Sequence, residues 1–155
     1  MNIGIIVHSQ TGHTHSVAQK LMEKLIAAGH SANLERVTSV GNVHPGVKDI
    51  QLETRQDVDT YDALVLGAPV YGFSLSPVMI SYLNQIVSLK SKKVACVVTQ
   101  FFPFPWMGGN RAIGQMKEIC ESKGAEVLGS EVVNWSSLHR NRQIIESVDR
   151  LSGLF

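Results

Sequence analysis

A doubly wound α/β domain on five parallel strands is the fold this sequence predicts, and three observations predict it. Apolar runs without polar alternation recur at Ile3–Val7, Ala63–Ala68 and Val94–Val98, as in strands covered on both faces of a sheet. Other stretches place apolar residues three or four apart, such as Val17, Leu21 and Leu25, the spacing of a helix with one buried stripe. The two patterns alternate along all 155 residues, which calls for parallel strands joined by crossover helices in a single domain, residues 1–155.

Taken in order, the first strand is Ile3–Val7. A helix follows over Thr14–Ala28, where Val17, Leu21, Leu25 and Ala18, Met22, Ile26 form adjacent rows and Gly29 supplies the stop. Ser31–Val37 reads as a second, more polar strand, suited to an edge or near-edge position. Residues 38–60 carry Gly41, Pro45 and Gly46 among polar residues and read as a loop with at most one short helical or extended piece. Ala63–Ala68 is a central strand that Pro69 should end, because proline lacks the ladder N–H. Ser76–Leu89 is helical, with Pro77 in the first turn where its missing N–H costs nothing. Lys93–Thr99 is the fourth strand, Asn110–Lys123 a helix closed by Gly124, Glu126–Val133 the last strand and Asn141–Leu151 the last helix.

Hydrophobic residues make up 44% and charged residues 17% of the chain, and its net charge is +1. That composition folds, and the charge supplies no general pull toward nucleic acid. Cys96 and Cys120 lie far apart in a strand and a helix; each reads as a buried free thiol. The N-terminal apolar run is too short for a signal or a membrane span, so the expected location is cytoplasmic.

The first strand runs into His8-Ser9-Gln10-Thr11-Gly12-His13-Thr14-His15-Ser16. A strand, a hydroxyl-rich turn and a helix start place backbone N–H groups and the positive end of a helix dipole together, which makes an anion site. No lysine occurs between Met1 and Gln19, so a P-loop is excluded, and G-x-G-x-x-G is absent. Neutral hydroxyls without a cation suit one phosphate monoester. Ser9-Gln10-Thr11-Gly12-His13-Thr14 matches the pattern [ST]-x-T-G-x-T at every fixed position, and here the chain resembles the flavodoxin family. The resemblance implies a flavodoxin-like sheet in the order 2-1-3-4-5 and flavin mononucleotide (FMN) as cofactor, its phosphate in this loop.

The second loop, Gly67-Ala68-Pro69-Val70-Tyr71-Gly72-Phe73, resembles the G-[ST]-P-x-x-x-G loop of flavodoxin-like proteins related to WrbA quinone reductases. Ala68 stands where a hydroxyl is usual, the glycine comes one residue early, and Tyr71-Gly72-Phe73 replaces Arg-Phe-Gly. The resemblance assigns ring contacts to Pro69, Val70, Tyr71, Gly72 and Phe73. It gives Tyr71-Gly72 the backbone rearrangement that accompanies protonation of the flavin. The third loop, Thr99 to Gly109, holds Phe101, Phe102, Phe104 and Trp106. Its position resembles the family's third flavin-contacting loop, which nominates Thr99, Gln100, Phe101, Gly108 and Gly109. Phe102–Trp106 fits a self-packed loop or a dimer interface equally.

His8, His13 and His15 have no zinc-ligand spacing, so no metal is expected. Protonated His13 or His15 would strengthen phosphate binding near pH 6–7. His139, Arg140 and Arg142 read as a solvated basic turn, or as a grip on a substrate or a nicotinamide phosphate. No side-chain constellation for covalent catalysis occurs, so chemistry would reside in the flavin. Phosphorelay receivers need an Asp where Ala68 stands and an acidic pair where Ser9-Gln10 stands, and low-molecular-weight phosphatases need a Cys and an Arg in the first loop. Both classes are excluded. The resulting expectation is an FMN-binding redox protein that carries electrons between protein partners. Its alternatives are an NAD(P)H-dependent quinone reductase and a flavodoxin fold that has lost its cofactor. No nucleic-acid or membrane partner is expected.

Overall fold

The structure is a computed structural model that describes residues 1–41, 50–53 and 56–155. Its elements are β1 (Asn2–Val7), α1 (His13–Ala27), β2 (Ser31–Arg36), β3 (Ala63–Tyr71), β4 (Ser74–Leu75), α2 (Pro77–Gln85), β5 (Lys93–Gln100), α3 (Gly109–Ser122), β6 (Glu126–Asn134) and α4 (Arg140–Ser152). Five strands run parallel in the order β2-β1-β3-β5-β6, and β4 pairs antiparallel with β3. Without the short β4 this is the expected order 2-1-3-4-5. The polar β2 takes an edge, and the three apolar strands take the centre.

Side chains alternate across the sheet, so each central strand feeds two cores. Ile6, Leu64, Leu66, Cys96 and Val98 pack with Met79, Leu83 and Met116 on the α2–α3 face. Ile5, Val7, Val65 and Val97 pack with Leu21, Leu25, Ile144 and Val148 on the α1–α4 face. Both cysteines are free and buried. No helix among the described residues is long and apolar enough to cross a membrane.

Two boundaries differ from expectation. β3 does not stop at Pro69 but runs to Tyr71. The Gly67 carbonyl faces β1, where it accepts from the His8 amide at 2.9 Å, and strand alternation turns Pro69 the same way. β1 ends at Val7, so no ladder bond is lost there. Tyr71 then pairs with Ser74. The intervening Gly72 and Phe73 have φ of 56° and 66°, the mark of a two-residue type I′ hairpin. Helix α2 stops at Gln85, not Leu89, with Ile86 extended. Lys123 Nζ donates to the Ile86 carbonyl at 2.6 Å and the Leu89 amide donates to the Lys123 carbonyl at 2.8 Å, so tertiary bonds replace the last helical turn. Between Val37 and Asp57 an antiparallel bridge, Ser39 to Leu52, is the extended piece expected there; residues 42–49 and 54–55 lie outside the described residues.

Candidate functional site

All five parallel strands end at one edge of the sheet, where α1, α3 and α4 begin. A cavity of about 240 Å³ opens at this edge, lined by Ser9, Gln10, Thr11, His13, Thr14, Pro69, Val70, Tyr71, Thr99, Gln100 and Phe101. Three loops far apart in sequence therefore meet around one space. Gly12, Gly72, Phe73, Gly108 and Gly109, the remaining nominated residues, stand off its wall. A larger cavity of about 420 Å³ lies between Asp57 and Ser88 at the other end of the molecule. Its rim carries Asp57 and Asp59, the wrong sign for an anion.

The first loop is folded by one hydroxyl. Ser9 Oγ accepts from the amides of Gly12 at 3.1 Å and His15 at 3.3 Å. Gly12 sits at φ 90° as the residue before α1, a conformation that favours glycine. The amides of Gln10, Thr11, His13 and Thr14 donate to no group among the described residues, as expected of a helix start awaiting an acceptor. Thr14 Oγ1 bonds Thr99 Oγ1 at 2.8 Å, tying the first loop to the end of β5. The Thr14 methyl needs Gly67, where a Cβ would come within 3.1 Å of it and 2.9 Å of Val7.

The fold also delivers residues that local sequence did not nominate. Arg36, at the end of β2, donates to the Ser9 carbonyl at 2.7 Å. His8 is buried, and its Nδ1 lies 2.6 Å from Ser76 Oγ. That hydroxyl also caps α2 by accepting from the Met79 amide, and its own proton is free to be donated to Nδ1 of a neutral His8. Burial first, and the Arg36 charge second, push the His8 imidazole down to about 4. The Tyr71 hydroxyl donates to Gln10 Oε1 and bridges the first two loops. His13 stacks on Trp135 with centroids 3.9 Å apart, and Arg140 lies 4.8 Å from the Trp135 ring centroid. Burial and then Arg140 lower the His13 value.

The third loop is pinned by Gln100. Its Nε2 shares two N–H donors among the Phe102 and Phe104 carbonyls and Asn134 Oδ1, and the Asn134 backbone amide donates to Gln143 Oε1 at 3.0 Å. Gln100 Oε1 is buried and has no hydrogen-bond partner among the described residues. Gly108 and Gly109 serve packing. A Cβ on Gly108 would lie 2.8 Å from Phe73 Cα, and one on Gly109 would lie 2.6 Å from Val132.

The donor set fits FMN. First-loop amides that donate to no described group, together with the Thr11 hydroxyl, match a phosphate monoester, and apolar Pro69, Val70, Tyr71 and Phe101 match a flat ring. An α/β protein with an anion loop at the carboxyl edge of a parallel sheet is the class these features define. The flavodoxin family model matches residues 5–140, and the chain belongs to that family. No curated protein sequence matches it. Among solved structures, the flavodoxin of Streptococcus pneumoniae TIGR4 is 16% identical with a TM-score of 0.72, covering 100% of both chains. A WrbA-like flavodoxin from Agrobacterium tumefaciens is 14% identical, TM-score 0.73, covering 99% of this chain and 96% of its own. A flavoprotein from Lactobacillus acidophilus NCFM, in complex with FMN, is 16% identical, TM-score 0.66, covering 94% of this chain and 97% of its own. These likenesses establish the fold.

Proposed function

We propose that the protein binds one FMN in the cavity between its three loops and carries electrons through it. The observation that carries this reading is that the amides of Gln10, Thr11, His13 and Thr14 donate to no group among the described residues, while these four residues line a cavity together with Tyr71 and Phe101. The flavin supplies the redox chemistry when bound. Ser9 folds the phosphate loop, Arg36 and Arg140 add positive charge beside it, and Tyr71 links it to the hairpin. Gln100 anchors the third loop. Two free buried thiols suit a cytoplasmic location, where thiols stay reduced.

Stopped-flow mixing of the FMN-loaded protein with NADPH tests the carrier role. Flavin absorbance should persist for minutes with NADPH and fall on photochemical reduction. Bleaching within seconds, with turnover of an added quinone, would replace the carrier by a quinone reductase.

A further inference from the structure

The overall charge of +1 conceals an uneven distribution. The strand ends, loops and first helical turns at the cavity edge comprise residues 8–16, 36–41, 69–80, 100–112 and 134–143. They contain Arg36, Arg111, Arg140 and Arg142 and no Asp or Glu. Glu53, bonded to Thr38, adjoins this edge, and Glu35 precedes Arg36 in β2. None of the four arginines joins an ion pair among the described residues. The opposite edge is mixed, with Asp57, Asp59, Asp62 and Glu126 set against Lys90, Lys92, Lys93 and Lys123.

The loops of the same edge also carry an aromatic surface. Phe73 stacks on Phe102 at 5.4 Å, Phe101 meets Phe102 edge-on at 6.0 Å, and Phe104 stacks on Trp106 at 5.9 Å. All five are exposed, Phe101 by 71% and Trp106 by 73%. At about 200 Å² per aromatic side chain they show on the order of 500 Å² of apolar surface, as much as the largest patch of a typical monomer. Phe101 also lines the cavity, so the patch continues to its mouth.

We infer that this edge is a docking surface for an acidic protein, with Phe101–Trp106 and Phe73 at the centre and Arg36, Arg111, Arg140 and Arg142 at the rim. An aromatic centre and arginine contacts are what protein interfaces select. The arginines span the sheet from β2 to the helix after β6, four strand spacings or roughly 19 Å, which is wider than one nucleotide's phosphates reach. A second copy of this chain would oppose rim to rim, and like charges across an interface repel. The inference rests on the electron-carrier reading for what the contact accomplishes, while the surface itself is defined by protein groups alone.

The test uses the purified chain with FMN added and its visible spectrum recorded first. Absence of bound flavin would defeat the carrier reading and leave the surface to be judged on binding. Calorimetry with an acidic [2Fe–2S] ferredoxin and with basic cytochrome c should show ferredoxin favoured by ~10-fold or more at low salt. That preference should collapse between about 20 and 200 mM salt, as the screening length falls from roughly 20 to 7 Å. R111E/R142E should reverse the preference. F104S/W106S should weaken ferredoxin binding at every salt concentration and leave the salt slope unchanged. Preference for cytochrome c, salt-independent binding, self-association that buries Trp106, or attachment to anionic vesicles in place of ferredoxin would each overturn the inference.

Discussion

The two ends of the site are built on opposite principles. At the phosphate end, Ser9, Thr14 and Thr99 are buried, and side-chain hydroxyls and Arg36 fix the chain in place. At the aromatic end, Phe73, Phe101, Phe102, Phe104 and Trp106 are exposed, with Phe102 meeting Phe73 and Phe101 and Phe104 stacked on Trp106. The inner end is preorganised, so binding there loses little ordering entropy. The outer end leaves apolar area in water, which has value only when something covers it. One site thus combines a rigid grip and an open face, and substitutions should separate the two.

The largest effect should come where the two ends are joined. Gly108 sits at φ 113°, with a Cβ position 2.8 Å from the Phe73 backbone. Gly108→Ala should cost about 3 kcal/mol or more, from a left-handed conformation plus overpacking, read as a shift in urea midpoint. A comparable pH effect belongs to the inner end alone. His8 titrates at about 4 in the folded protein and near 6.5 unfolded. Between those values the unfolded chain binds a proton that the folded chain excludes, so stability rises with pH across that window. Acidification from pH 6.5 to 4 should remove up to ~3 kcal/mol through this group, and His8→Gln should flatten the slope between pH 5 and 6.5, as chemical denaturation will show.

Smaller effects sharpen the contrast. Ser9→Ala removes the acceptor for two amides and should cost about 1 kcal/mol. It should also weaken FMN binding by ~10-fold, measured by fluorescence titration. F104S/W106S should leave stability within about 0.5 kcal/mol and FMN affinity unchanged, because both side chains are exposed and neither lines the cavity. Loss of FMN affinity in that variant would merge the two ends that the structure separates.

What the sequence discloses follows the same division. The strand order 2-1-3-4-5 comes from the family resemblance that the Ser9–Thr14 loop carries; strand and helix positions and the loop itself are legible because each rests on local pattern: apolar runs, helical spacing, and hydroxyls beside a helix start. The route of β3 past Pro69 was not, because it depends on where β1 happens to end. The early stop of α2 depends on Lys123, thirty-eight positions beyond Gln85 in the chain, reaching back to the Ile86 carbonyl. Arg36 beneath the phosphate loop and Trp135 against His13 carry no signal near Ser9 in sequence; the sheet order alone brings them there. A loop that reads locally as free of cations is flanked by two guanidinium groups in the fold. Arg36 lowers the His8 value and Arg140 lowers that of His13.

The most direct test is a paired titration of the purified protein with FMN and with riboflavin, which has the same ring and no phosphate. If the amides of the first loop grip the phosphate, FMN should bind with one site per chain. It should bind at least ~100-fold more tightly than riboflavin, about 2.7 kcal/mol. Equal affinity for the two, or no binding of either, would contradict the account.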